Sequence, residues 1–185
     1  MLILTLLAFA GTLSVAPSDT TVSDVAIPTT VVVAGQTLSL NGAGVRKKFV
    51  VKVYVGALYL ATKSTSASAV LAADEPRQMV LSFVHDVDKG KLCEAWNDAL
   101  TDNSPDASAQ LKADFVTLCG WMEDVKDKQQ IVFTYVPGTG TEVVVAGKSK
   151  GTIAGKEFAD AILKAWIGPK PGPGDGFKKQ VLGGS

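Results

Sequence analysis

A single histidine and two cysteines occur among the 185 residues. That scarcity excludes most protein-ligated metal chemistry. A structural zinc site takes four Cys or His ligands, and a Ser-His-Asp or Cys-His arrangement would have to be built on His85 alone. No G-x-S-x-G elbow, P-loop or H-E-x-x-H sequence is present. Gly42-x-Gly44 lacks a third glycine and precedes a strand pattern, so it is no dinucleotide fingerprint. Charge of one sign is also missing, because 18 Lys and Arg balance 18 Asp and Glu. The balance removes the basic footprint of a nucleic-acid binder and the polybasic cluster of a membrane-surface protein. Small or neutral partners are expected instead.

What is present is a globular composition, 46% hydrophobic and 19% charged, long enough for one domain with a full core. The apolar run Leu2–Val15 is too short to span a bilayer comfortably and reads as an export signal over residues 1–16. Cleavage is expected after Ala8-Phe9-Ala10 or Ser14-Val15-Ala16, although no Lys or Arg precedes the run. Residues 17–27, rich in Ser, Thr, Asp and Pro, read as a linker, and 28–185 as the domain. The expected location is the periplasm or another exported compartment, with no stable membrane insertion once the signal is cleaved. There Cys93 and Cys119, each on a predicted helix, have two readings: a disulfide stapling a helical hairpin, or two buried thiols acting as small hydrophobes.

Strand patterns dominate the first part of the chain. Thr29–Ala34 is β-branched, and Thr37–Leu40 is followed by an expected turn at Asn41-Gly42-Ala43-Gly44. Phe49–Leu60 alternates, with Tyr54 on one face beside Lys52, Gly56 and Leu58, and both faces apolar enough to be covered. Arg77–Val87 follows as a strand. The period then changes. Leu92, Ala95, Trp96, Ala99 and Leu100 predict a helix from about residue 89, and Leu111, Phe115, Leu118 and Met122 predict another. Gln130–Val136 and Glu142–Ala146 flank a Pro137-Gly138-Thr139-Gly140 hairpin signal, Lys148–Ile153 is a short strand, and Lys156–Ile167 an amphipathic helix. The order strands, two helices, strands, helix predicts an α+β fold with an antiparallel sheet and helices on one face.

Four candidate polar groups stand out in this apolar chain. Arg46 offers a five-donor fork suited to a carboxylate or carbonyl oxygen, or else caps the turn at a strand edge. Tyr54 offers a phenol, or a core ring with a satisfied hydroxyl. Lys52, on the predicted Tyr54 face, either assists or points to solvent. His85 reads as a partly solvated strand-end residue, with an axial ligand to haem as the alternative. No other cofactor is expected.

Four segments together resemble the chalcone isomerase family, specifically its exported bacterial chalcone-isomerase-like branch. They are Gly42-Ala43-Gly44-Val45-Arg46, the run Lys52–Leu60, Pro137-Gly138-Thr139-Gly140-Thr141, and Gly151-Thr152-Ile153-Ala154-Gly155-Lys156-Glu157-Phe158-Ala159 continuing to Trp166-Ile167-Gly168. The resemblance covers about 35–183. It implies an open-faced β-sandwich, a large antiparallel sheet with helices packed on one face and a ligand cleft between them. Members of the family close chalcones to flavanones, assist flavonoid synthesis without catalysis, or bind fatty acids. Arg46 matches the family's arginine. Tyr54 falls where the enzymes carry threonine and the fatty-acid binders tyrosine. Leu92 and Ala99 fall where the enzymes carry a tyrosine and an asparagine, and no tyrosine occurs anywhere in 82–134. Missing one oxyanion donor typically costs about a hundredfold or more in rate. The resemblance thus implies non-catalytic binding of an amphipathic molecule, a fatty acid above all, with its carboxylate at Arg46 and Tyr54. The enzymatic alternative is an intramolecular lyase or isomerase on another substrate, using the same two residues.

Overall fold

The computed structural model describes residues 19–184; the apolar run Leu2–Val15 lies outside them. Seven strands form one antiparallel sheet in chain order: β3 (Thr30–Val33), β4 (Gln36–Lys48), β5 (Val51–Leu60), β6 (Arg77–Phe83), β7 (Gln130–Val136), β8 (Gly140–Val145) and β9 (Lys148–Ile153). Five helices lie among the described residues: α1 (Ala67–Ala72), α2 (Lys89–Asn103), α3 (Ala109–Trp121), α4 (Lys156–Ile167) and α5 (Asp175–Val181). α4 carries the predicted stripe Phe158, Ala161, Ile162, Ala165 and Trp166 into the core, where it meets β8, α2 and α3.

The predicted alternation along β5 is borne out from Tyr54 to Leu60. Tyr54, Leu58 and Leu60 enter the core under the helices, while Val55, Ala57 and Tyr59 enter a second core on the opposite face. That second core corrects the expected linker. From Asp19 onward the chain forms a hairpin, β1 (Asp19–Val22) and β2 (Val25–Pro28). It buries Ile27 against Val33, Leu38 and Val55, and the Tyr59 hydroxyl donates to the Pro28 carbonyl at 2.9 Å.

The expected turn at 41–44 is also corrected, because β4 runs straight through it. Its glycines serve close approach rather than turning. Gly44 lies opposite Gly56 on β5, and α5 lies across both. A Cβ on Gly56 would stand 2.5 Å from Phe177 Cζ, and one on Gly42 would collide with the Gln180 carbonyl. Glycine inside a strand often marks such contact. The reversal falls later, at Phe49-Val50, a two-residue turn between Lys48 and its partner Val51. Strand β6 ends at Phe83, short of the expected Val87, which makes only an isolated bridge to Val125. Cys93 and Cys119 are free thiols, with Cys93 Sγ 3.5 Å from the Cys119 carbonyl oxygen. Burial, reinforced by the neighbouring Cys93, pushes the Cys119 thiol up to about 12.

Candidate functional site

One residue sets the phase of β4. Leu40 pairs with Tyr59 but Gly42 pairs with Leu58, so Asn41 is an extra, bulged residue. Its side chain is fully used: Nδ2 donates to the carbonyls of Ser64 at 3.0 Å and Val181 at 2.9 Å, and Oδ1 accepts from Ser64 N–H at 2.8 Å. A bulge moves every later residue to the other face. Before it, Leu38 and Leu40 face the outer core; after it, Ala43 and Val45 do. Arg46 is thereby turned to the helix side, directly opposite Tyr54.

There the two residues open onto a cleft of about 660 Å³ between the ends of β4–β6, helix α2 and the loop after α4. Such a volume lies within the ~300–1,000 Å³ typical of small-molecule sites. Its walls are apolar, formed by Val53, Phe83, Leu92, Trp96, Ala165 and Trp166, and charged side chains stand at its rim. A second hollow of about 490 Å³ near Glu123 and Lys148 is open, mostly polar and without an aromatic wall.

Tyr54 is buried, at 7% exposure, and its ring packs on Phe83 and Phe177 at centroid distances of 5.5 and 6.0 Å. Trp166 Nε1–H donates to the Tyr54 hydroxyl oxygen at 3.0 Å. That bond occupies an acceptor site on the phenol and leaves its own O–H free to donate. Burial pushes the Tyr54 phenol up to about 12, and the nearby Arg46 guanidinium and the Trp166 bond only partly oppose the rise. Tyr54 therefore stays a neutral donor across the physiological range and is a poor base.

Arg46 is half-buried, its guanidinium carbon 6.0 Å from the Tyr54 ring centroid. Among the described residues no carboxylate lies within ion-pair distance of it. A five-donor fork is thus held beside a phenol O–H at the mouth of an apolar cavity, a set that matches a carboxylate or another oxyanion.

Lys52 is not brought to this place. Arg46 pairs with Tyr54 but Lys47 pairs with Lys52, so Val53 is a second bulged residue. The bulge turns Lys52 away from the Tyr54 face and out to solvent beside Lys47. Val53 takes its place on the cleft wall. His85 is exposed at the rim. Leu92 and Ala99 do line the cleft from α2, and Tyr54 is the only phenol that lines it among the described residues.

Two tryptophans escaped the sequence reading, which placed them on apolar helix stripes. Trp166 orients Tyr54, and Trp96 packs on Trp166 with centroids 5.7 Å apart. Trp96 Nε1 is buried without an acceptor among the described residues. The available signal was chemical: a buried indole N–H usually needs a partner.

A search of curated proteins finds no match. Among solved structures, an Arabidopsis thaliana fatty-acid binding protein is similar in fold, with a TM-score of 0.70 at 16% identity, over 90% of this chain and 96% of that one. The family model described as chalcone isomerase-like matches residues 19–183, all but one of those the structure describes, and the chain belongs to that family.

Proposed function

We propose that the protein binds a fatty acid or a closely similar amphipathic carboxylate without transforming it. The carboxylate accepts from the Arg46 guanidinium and the Tyr54 O–H, and the tail runs between Leu92, Trp96 and Trp166. The observation that carries this reading is the Arg46 fork, without a carboxylate partner among the described residues, beside a neutral, oriented phenol at the mouth of an apolar cleft. A fold shared with a fatty-acid binding protein supports it. Leu92 and Ala99 add no polar group to the wall, and a phenol held near 12 offers no base for ring closure.

The test is mass spectrometry of ligands extracted from natively purified protein, followed by titration with laurate, myristate and palmitate. Each buried methylene contributes about 0.8 kcal/mol, so two added carbons are expected to tighten binding by about tenfold until the cleft is full. A ligand-free preparation that also fails to bind these acids would contradict the reading. Turnover of an enone substrate that disappears in Arg46→Ala would replace it with an isomerase. The proposed setting is an exported compartment, and fractionation of cells together with N-terminal sequencing of the mature protein tests it. An intact N-terminus in the cytoplasmic fraction would refute that part.

A further inference from the structure

The cleft mouth carries a feature that binding does not explain. Phe49 and Val50, which form the β4–β5 turn, are each 93% exposed, and Val51 is 43% exposed. The other large exposed hydrophobics, Val32 and Val116, lie singly on β3 and α3. Scattered single residues of that kind are ordinary on a protein surface. Two adjacent ones at a hairpin tip are not, and Phe49 also has φ +54. In two-residue hairpin turns that backbone region belongs to Gly, Asn or Asp. A phenylalanine there is strained and buries nothing in return, and such outliers gather at functional positions.

Along the tip segment itself the charge is of one sign, while Asp86, Glu94, Asp98 and Asp102 line the cleft behind it. The sequence reads Arg46-Lys47-Lys48-Phe49-Val50-Val51-Lys52, and Lys47, Lys48 and Lys52 are all exposed. No carboxylate lies within ion-pair distance of any of these three among the described residues. The zero net charge of the whole chain hides this cluster. Apolar residues projecting from a ring of lysines suit the boundary between headgroups and acyl chains of an anionic bilayer. Phe49, Val51 and Lys48 also border the cleft, so a surface that met this tip would lie against its mouth. The described chain starts at the other end of the sheet: Asp19 pairs with Pro28, whose carbonyl accepts from the Tyr59 hydroxyl, eight residues along β5 from Val51 or roughly 27 Å at the usual strand rise.

We propose that the Phe49-Val50 tip is a docking element for anionic phospholipid bilayers. Phe49 and Val50 enter the interface, Lys47, Lys48 and Lys52 meet the anionic headgroups, and the cleft mouth is held against the membrane. Docking goes beyond the proposed ligand binding and stands whichever ligand the cleft holds.

The experiment measures co-sedimentation of the full chain with phosphatidylcholine vesicles, with and without phosphatidylglycerol, together with amide hydrogen exchange. Wild type is expected to bind the anionic vesicles, to release at high salt, and to show vesicle-dependent protection over 46–53. The Phe49→Ser/Val50→Ser variant is expected to bind at least about tenfold more weakly. Lys47→Ser/Lys48→Ser/Lys52→Ser is expected to bind about a hundredfold more weakly at low salt. All five positions are exposed, and an unchanged circular dichroism spectrum checks the fold. Failure of wild type to bind anionic vesicles would overturn the proposal, as would binding or 46–53 protection that neither variant weakens. A wild-type dimer in ultracentrifugation that the Phe49→Ser/Val50→Ser variant abolishes, with 46–53 protected in the absence of vesicles, would replace the membrane with a second copy of the chain.

Discussion

The protein holds two arginine–tyrosine pairs, and they are built to opposite ends. Arg77 lies 4.8 Å over the Tyr135 ring and is 5% exposed. It donates to Asp160 at 2.5 Å and to the Val70 carbonyl at 3.3 Å, Lys156 reaches the other Asp160 oxygen at 2.6 Å, and the Tyr135 hydroxyl donates to Asp74 at 2.6 Å. Every charge there has a partner, and the cluster ties β6 and β7 to α1 and α4. Arg46 lies over Tyr54 at 6.0 Å with no counter-ion among the described residues and an open cleft in front of it. The same two residue types make a closed structural network in one place and an open pair at a cleft mouth in the other. The difference lies in the carboxylates, two at Arg77–Tyr135 and none at Arg46–Tyr54. In the proposed function, the ligand supplies the carboxylate that the open pair lacks among the described residues.

Removing a carboxylate from the closed network should have the largest effect. Asp160→Ala leaves the buried Arg77 charge uncompensated, at an expected cost of about 3–5 kcal/mol, read as a lowered denaturation midpoint. Fatty-acid affinity of the fraction that remains folded should be unchanged. Raising the pH tests the phenol of the open pair. The Tyr54 pKa is raised from 10.0 to about 12 in the folded state, so the stability it contributes is fully present below pH 10 and is lost as the pH rises through 12. A shift of that size corresponds to about 2–3 kcal/mol. Tyr54→Phe should flatten this part of an alkaline denaturation profile. At neutral pH the same variant should lose about 1–3 kcal/mol, because the Trp166 N–H is left unpartnered. Arg46→Ala should invert the Asp160→Ala result. Stability should stay within about 0.5 kcal/mol of wild type, while fatty-acid binding weakens by about 1.5–3 kcal/mol, the worth of hydrogen bonds to a charged group. The smallest effect is expected from Lys52→Ala, which should leave the dissociation constant of a soluble fatty acid unchanged. A clear loss there would place Lys52 in the site despite the Val53 bulge.

The bulges also mark where the sequence stopped being legible. Strand alternation in β5, the apolar stripes of α2 and α4 and the hairpin glycines predicted the α+β sheet with its helices. Arg46 and Tyr54 were predicted as a pair and do stand opposite each other. Period-two counting then put Lys52 on the Tyr54 face, because one extra residue in a strand leaves no mark in the hydrophobic pattern. Gly42 and Gly44 read as a turn, since the sequence does not reveal that α5, more than a hundred residues later, lies across them. Residues 17–27 read as a linker because their Ser, Thr and Asp outnumber Ile27, the one buried residue among the described 19–27. The Arg77 network stayed invisible because its members come from four separate segments of the chain.

Isothermal titration of a fatty acid and of its alcohol of equal chain length, into wild type and Arg46→Ala, tests the account most directly. The alcohol keeps the tail and loses the charge. A guanidinium reserved for a ligand carboxylate predicts that the substitution weakens the acid by roughly 10- to 100-fold and changes the alcohol little. Equal losses for acid and alcohol, or none for either, would contradict it.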